Sequence, residues 1–417
     1  MDLNEIIIGY GKLAREASHK LATTLTKEKN RALLLMSKKL KENKEIIKKE
    51  NEKDIENGKK DNLSDAMLDR LLLNDNRIED MANGIEKIAS LIDPVGEIIT
   101  GWNTENGLNI KKIKVPIGVI GMIYESRPNV TADAAALALK SGNSIILRGG
   151  KEAIHSNKII ASLLKDALKE TTIPEDAINL IQTTEREAVK IMTRLEEYID
   201  VIIPRGGSGL IKAVTEHATV PVIFHDKGLC HVYVDCDADL KMANDICMNA
   251  KTQRPGVCNA METLLINGKI ADKFLPIIAE NLKKDGVELR VCSRCKEILP
   301  NEKDATELDW ETEYLDLILS IKIVDNIDSA VEHINKYGSK HSEAIISNNY
   351  ENTTKFLNSV DASTVYVNAS TRFTDGGEFG FGAEIGISTN KLHARGPFAL
   401  NELTTYKYIV LGNGQIR

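Results

Sequence analysis

A chain of 417 residues with 42% hydrophobic and 28% charged side chains has an ordinary globular composition, but it is too long for one typical core. Two domains are the starting expectation. The net charge of −7 argues against a dedicated nucleic-acid binder, which needs clustered cations with little compensating acid. The longest apolar stretches, such as Ile117 to Tyr124, stop well short of the roughly 20 residues a bilayer demands, and the first twenty residues mix acids, bases and polar groups. Neither a membrane span nor a secretory signal is expected. Six cysteines without regular spacing suggest reduced thiols in a cytoplasmic protein rather than a disulfide framework.

Residues 1 to about 90 read as helices, with Leu33, Met36, Leu40 and Ile47 at helical spacing among charged residues. The Lys-rich stretch from Lys38 to Lys60 is interleaved with Glu and Asp and reads as a solvated helix face. From Val115 short apolar runs alternate with helical segments: Ile117 to Ile123 then Thr131 to Lys140, and Ser144 to Leu147 then Glu152 to Leu168. Ala177 to Ile181, Val201 to Ile203 and Val220 to Phe224 continue the series. That alternation predicts a parallel, doubly wound sheet. A second series runs through His231 to Val234, Glu262 to Ile266, Asp316 to Val324, Ala344 to Ser347 and Thr364 to Asn368, with a boundary near Lys227 and Gly228. The tail from Leu403 to Leu411 reads as a strand without an obvious partner in its own lobe. An unpaired edge is usually covered, so pairing with another subunit is expected.

The strongest chemical signal is KTQRPGVCNAME, Lys251 to Glu262, which sets Cys258 in a polar loop before an apolar strand, with bases at Lys251 and Arg254. Cationic neighbours and exposed N–H groups favour a reactive thiolate; the alternative is a small buried hydrophobe. Cys292 and Cys295 form a CxxC, a redox pair or half a zinc site, but no second CxxC or paired His follows, so no metal is expected. Cys230, Cys236 and Cys247 read as packing residues. Pro204 to Leu210, PRGGSGL, follows a strand and opens a helix, a turn where glycines let a phosphate reach backbone N–H groups or are merely tight. SIILRGGK, Ser144 to Lys151, ends a second strand in two cations, and Lys151 either holds a ribose phosphate or decorates a helix start. Asn129 is an oxyanion donor or an N-cap.

Taken in order, the segments VPIGVIGMIYESRPNV, SIILRGGKEA, VIIPRGGSGLI, GLCHVYVD, TQRPGVCNAMETLLI, TEYLDLILSIKIVD and FGFGAEIGISTNKLHARGPFALNELTTYKY resemble the aldehyde dehydrogenase superfamily. Within it they are similar to the branch of γ-glutamyl phosphate reductases, also called glutamate-5-semialdehyde dehydrogenases, over essentially the whole chain. The resemblance implies an α/β protein of two doubly wound lobes plus a small β oligomerisation element. Cofactor binding falls to 1–101 and 114–228, joined by part of 369–395; catalysis falls to 229–368, and oligomerisation to 102–113 and 396–417. It further implies reduction of γ-glutamyl phosphate to glutamate 5-semialdehyde in proline biosynthesis, through a thioester on Cys258 with Asn129 at the oxyanion. Gly206, Gly207 and Ser208 would face the cofactor pyrophosphate and Glu313 the nicotinamide ribose. Lys151, with Arg148 beside it, stands where NAD-preferring relatives carry an acid, so NADPH/NADP+ is expected.

Arg127, Arg254 and Arg372 are candidates for the substrate phosphate and α-carboxylate, and Glu384 for its ammonium. Hydrolytic relatives keep a glutamate base where this chain reads Phe224-His225-Asp226-Lys227-Gly228, a departure that fits an enzyme with no need to activate water. A homo-oligomer and a transient contact with glutamate 5-kinase are the expected partnerships. Two rivals remain at this point: a dehydrogenase for another aldehyde or acyl phosphate, and a non-catalytic descendant that keeps only the fold.

Overall fold

The computed structural model describes residues 2–225 and 227–417. They divide into two compact units: the first holds the residues up to Phe224 with Gly380–Gly386 and Phe398–Arg417, the second His225–Phe379 with Ile387–Pro397.

The first unit opens on the helices Leu3–Leu21, Thr26–Glu42, Lys44–Lys60, Asp65–Leu71 and Asp75–Ser90. Leu33, Met36, Leu40 and Ile47 are fully buried, as the spacing predicts, while Lys38, Lys48 and Lys53 pair with Glu42, Glu45 and Glu50 on the outer face. Ser64 and Asn74 cap the last two helices by accepting the N–H groups of Met67 and Arg77. Among the described residues no helix is long and apolar enough to cross a membrane.

The strands, in chain order, are β1 Ile98–Asn103, β2 Asn109–Pro116, β3 Val119–Tyr124, β4 Ser144–Gly149, β5 Ile178–Leu180, β6 Val201–Arg205, β7 Cys230–Val234 and β8 Met261–Asn267. There follow β9 Glu288–Val291, β10 Lys303–Asp304, β11 Ile318–Val324, β12 Ser342–Ile346, β13 Thr364–Val367, β14 Gly386–Ser388, β15 Gly396–Phe398 and β16 Thr404–Leu411. In the first unit β5, β4, β3 and β6 form a parallel sheet in that order, with Ile120 opposite both Ile145 and Val201. Residues of β3 and β4 are buried on both faces, which is why these runs are continuously apolar rather than alternating. The expected strand at Val220 to Phe224 reduces to one bridge, Val222 to Ile202, because the segment meets β6 only at its end. Asp54, buried in the third helix, accepts the N–H groups of His155 and Ser156 and so fixes the start of the Ile154–Leu168 helix just beyond Lys151.

A separate antiparallel sheet, β1-β2-β16, stands in the same unit. The expectation that the tail lacks a partner in its own lobe is corrected: β16 pairs with β2 along its whole length, Thr404 opposite Pro116 to Leu411 opposite Asn109. The sequence reading failed because β2, IKKIKV, is too rich in lysine to announce itself as a strand. The outer edge of β16 is unpaired among the described residues, and Tyr406, Tyr408 and Val410 are about half exposed along it.

The second unit is a parallel seven-stranded sheet, β10-β9-β11-β8-β7-β12-β13. Helices Leu240–Thr252, Gly268–Lys284, Ile327–Tyr337 and Tyr350–Ser359 connect its strands. Val232, Leu264, Ile266, Phe274, Leu319 and Ile321 form its central core.

Candidate active site

In the first unit the strand order reverses at β3, with β4 on one side and β6 on the other, and the carboxyl ends of these strands carry the predicted cofactor residues. Such a reversal opens a crevice for ligands. The helix Ser208–Thr215 starts there at Gly207, whose N–H donates to Glu125 Oε2 at 3.1 Å. A Cβ on Gly206 would lie 2.3 Å from the same oxygen and 2.7 Å from Leu210 Cδ2, so a larger residue there would displace both side chains, whereas a Cβ on Gly207 would meet nothing within 4 Å. Ser208 is the first helical residue and is exposed. Partial desolvation raises the Glu125 carboxyl above its ordinary value. An acidic side chain thus sits on an N–H group at the positive end of this helix, where the helix dipole favours negative charge.

Arg148 is buried and donates to the carbonyls of Gly149, Thr184 and Glu185. Lys151 is exposed and pairs with Asp61 at 2.9 Å, which raises its pKa. Arg186, unremarked in the sequence, acts electrostatically on Glu125, Arg148 and Lys151 alike. Its only sequence signal was its place just after β5, among three other charged residues. Asn129 begins the Val130–Lys140 helix with helical backbone angles, and its side chain caps no N–H. The N-cap alternative is therefore set aside: Asn129 Nδ2 donates instead to Asp133 Oδ2 at 2.8 Å, and burial lifts Asp133 to about 6. Arg127 and Glu384 are half-buried in this unit.

In the second unit Cys258 is half-buried in the loop between the Leu240–Thr252 helix and β8, at the amino end of that strand. The loop is held on several sides. The Cys258 carbonyl accepts the Cys230 thiol at 3.2 Å. A Cβ on Gly228 would come within 2.1 Å of that same carbonyl oxygen, so the chain at 228 presses directly on the backbone of Cys258. Asn259 Nδ2 donates to the carbonyls of Thr374 and Arg372, and Thr371 Oγ1 donates to the Asn259 carbonyl at 2.7 Å. Asn259 Oδ1 is buried and has no partner among the described residues.

Arg372, anchored through Nε to Gln253, has its pKa lowered first by burial, then by repulsion from Arg254, with Cys258 pulling the other way. Two predicted arginines and the sulfur therefore share one electrostatic neighbourhood. Lys251, by contrast, is not a base beside the sulfur: it is fully buried in a 2.6 Å pair with Glu262. Burial lowers Lys251 and raises Glu262 to about 7. Glu262 also accepts the Leu315 N–H, tying β8 to the loop that carries Glu313, and Glu313 Oε1 in turn accepts the Gly228 N–H at 2.9 Å. Of the stretch where relatives keep a water-activating glutamate, His225 Nδ1 donates to the Ile387 carbonyl at 3.0 Å, and Asp226 lies outside the described residues.

The aldehyde dehydrogenase family matches residues 10–289. A γ-glutamyl phosphate reductase of Clostridium botulinum is 60% identical over 415 residues, covering 100% of each chain. The crystal structure of the γ-glutamyl phosphate reductase of Thermotoga maritima superposes with a TM-score of 0.97 at 53% identity over 99% of each chain. This chain belongs to the γ-glutamyl phosphate reductases of the aldehyde dehydrogenase family. The family's fold extends to distant relatives: a glyceraldehyde-3-phosphate dehydrogenase of Methanocaldococcus jannaschii, solved with NADP, aligns over 98% of this chain with a TM-score of 0.69 at 18% identity. The two-lobed aldehyde dehydrogenase-like architecture expected from the sequence is the one found.

Proposed function

We propose that the chain reduces γ-glutamyl phosphate to glutamate 5-semialdehyde and phosphate with NADPH, as a step of proline biosynthesis, using Cys258 as nucleophile. One observation carries the reading: in a chain alike end to end to γ-glutamyl phosphate reductases, the half-buried Cys258 sulfur stands on a braced loop in the field of Arg254 and Arg372. The Cys258 thiolate attacks the acyl carbon, the tetrahedral oxyanion collapses, and phosphate leaves to give a thioester. The backbone N–H at the nucleophile and the Asn129 amide are assigned to the oxyanion; one amide hydrogen of Asn129 goes to Asp133, and the second is the donor assigned to the oxyanion. Gly206, Gly207 and Ser208 would hold the dinucleotide, which when bound would supply the hydride that takes the thioester to the aldehyde level. Expulsion of the product regenerates the Cys258 thiolate.

Arg254 and Arg372 are assigned to the leaving phosphate, because a cation pair pulls on an anion as charge builds there. Arg127 and Glu384 are assigned to the substrate's α-carboxylate and ammonium, with the open Asn259 Oδ1 as a further acceptor. Glu313 is assigned to the nicotinamide ribose, and Lys151 with Arg186 to the 2′-phosphate. Arg148 supports that corner through the carbonyls it holds. The first α/β lobe is thus the cofactor-binding domain and the second the catalytic one. The open edge of β16 is assigned to a homo-oligomer contact. A cytoplasmic location and a transient encounter with the kinase that makes the acyl phosphate complete the reading.

The test is the reverse reaction. Glutamate 5-semialdehyde should reduce NADP+ only when phosphate is present; turnover without phosphate would point to a hydrolytic aldehyde dehydrogenase instead.

A further inference from the structure

Cys292 and Cys295 stand outside everything described above. Cys292 follows β9 and precedes the Ser293–Ile298 helix, and Cys295 lies in that helix's first turn, which brings their sulfurs to 3.5 Å. Both rest on β11: the Cys292 N–H donates to the Ile321 carbonyl at 3.0 Å, and the Cys295 sulfur lies 3.6 Å from the same oxygen. Cys292 is half-buried between the core and the exposed Ser293 and Arg294, while Cys295 is fully buried. The pair is remote from the nucleophile. Ser320 of β11 is level with both Thr263 of β8 and Arg290 of β9, so Cys292 stands at the carboxyl ends of these strands and Cys258 before the amino end of β8. Met261, where β8 begins, is about 13 Å along the strands from the level of Cys292 and two strand spacings, about 10 Å, across from it, and Cys258 lies three residues before Met261.

We propose that Cys292 and Cys295 are a thiol–disulfide exchange site for low-molecular-weight disulfides, with Cys292 the attacking sulfur and Cys295 the resolving one. The Cys292 thiolate attacks one sulfur of a disulfide RSSR, forming a mixed disulfide and releasing RS⁻. Cys295 then loses its proton, attacks the Cys292 sulfur and releases the second RS⁻. The two thiols give up two electrons, RSSR accepts them, and the products are one protein disulfide and two RSH.

The division of labour follows from the surroundings. A hydrogen bond from the Cys295 thiol and the backbone N–H groups of Ile323, Cys295 and Arg294 lower Cys292 to about 5, while the same bond and burial raise Cys295 far above its ordinary value. Only the accessible sulfur is therefore ionised at neutral pH, as an attacking thiol must be. Zinc is the poorer occupant, because the only group of three metal-ligating side chains among the described residues is Asp235, Cys236 and Asp237, which does not include this pair.

Full-length protein, prepared reduced, would be incubated with oxidised glutathione at pH 6 and pH 8 and read by peptide-resolved mass spectrometry. The expected product is a Cys292–Cys295 disulfide with the loss of two hydrogens. Cys295→Ser should instead accumulate one glutathione on Cys292, and Cys292→Ser should leave Cys295 unmodified while keeping reductase turnover within about twofold. Initial attack at Cys292 should slow less than about threefold from pH 8 to pH 6, where an ordinary thiol slows by about two orders of magnitude. A Cys292 that stays free, a Cys295→Ser variant whose glutathione sits on another cysteine, or a pH response like that of an ordinary thiol would each overturn the proposal.

Discussion

The two α/β units build their sites at opposite ends of their sheets. In the first, the groups assigned to the cofactor follow strands: Lys151 after β4, Arg186 after β5 and the Gly206-Gly207 turn after β6. In the second, the proposed nucleophile Cys258 comes before a strand, and the carboxyl ends of β9 and its neighbours carry the unrelated dithiol instead. The difference reflects what each site must hold. A pyrophosphate is met by backbone N–H groups at a helix start, which the strand-turn-helix path supplies wherever it occurs. A reactive sulfur has to be aimed by contacts made only once the unit has folded: the Cys230 thiol below it, Gly228 against it and the Thr371–Phe373 turn beside it.

The comparison is broken most simply at the sulfur. Cys258→Ser should cost at least about 10³-fold in kcat while leaving NADPH binding, followed by fluorescence titration, near that of the parent. Turnover close to the parent would discard the covalent mechanism. The next effect sets two glycines against each other. Gly228→Ala forces a Cβ into the Cys258 carbonyl and should cost about 10²-fold in kcat by displacing the nucleophile, whereas Gly207→Ala adds a Cβ into open space and should leave kcat nearly unchanged. If both substitutions prove equally mild, the backbone contact at 228 does not aim the sulfur.

Legibility in the sequence follows the same division. The doubly wound strands could be read because their burial on both faces leaves continuous runs such as SIIL and VII, and the glycine turn because it sits where such a strand ends. The Cys258 loop stood out by composition, and the family resemblance supplied its role. What stayed hidden was set by contacts distant in the chain: Lys251 reads as a free base until Glu262 is seen across from it, and Asn129 reads as a cap until its backbone proves helical. β16 looked unpartnered because its partner is separated from it by most of the chain and carries lysines on a half-buried strand that shows no apolar run.

A smaller effect separates the units by acid. His341 is buried in the second unit, with Nδ1 2.9 Å from Ser342 Oγ and 3.8 Å from the Cys230 sulfur, and burial lowers it to about 4. The unfolded histidine titrates near 6.5, so its contribution to stability is complete above that pH and is lost as pH falls from 6.5 through 4. By pH 5 the loss is about 2 kcal/mol. Urea melts at pH 7 and pH 5 should therefore show His341→Asn losing about 2 kcal/mol less than the parent, and hydrogen exchange should place the difference in the second unit. A variant that loses as much as the parent would refute the assignment.

The smallest effect tests the cofactor corner, where the charges are exposed and solvent screens them. Arg148 already has its guanidinium committed to three carbonyls, so discrimination by a 2′-phosphate falls to Lys151 and Arg186. Lys151 in turn is partly neutralised by Asp61. Lys151→Glu removes a cation and sets two like charges side by side, and should raise the KM for NADPH on the order of two- to fivefold while leaving that for NADH almost unmoved. Asp61→Asn should shift NADPH slightly the other way, since it frees the same lysine, and both shifts should shrink as salt is raised because exposed charges are screened within about 10 Å at 0.1 M. Equal changes for the two cofactors in Lys151→Glu would mean that this cation serves the turn after β4 rather than the ligand.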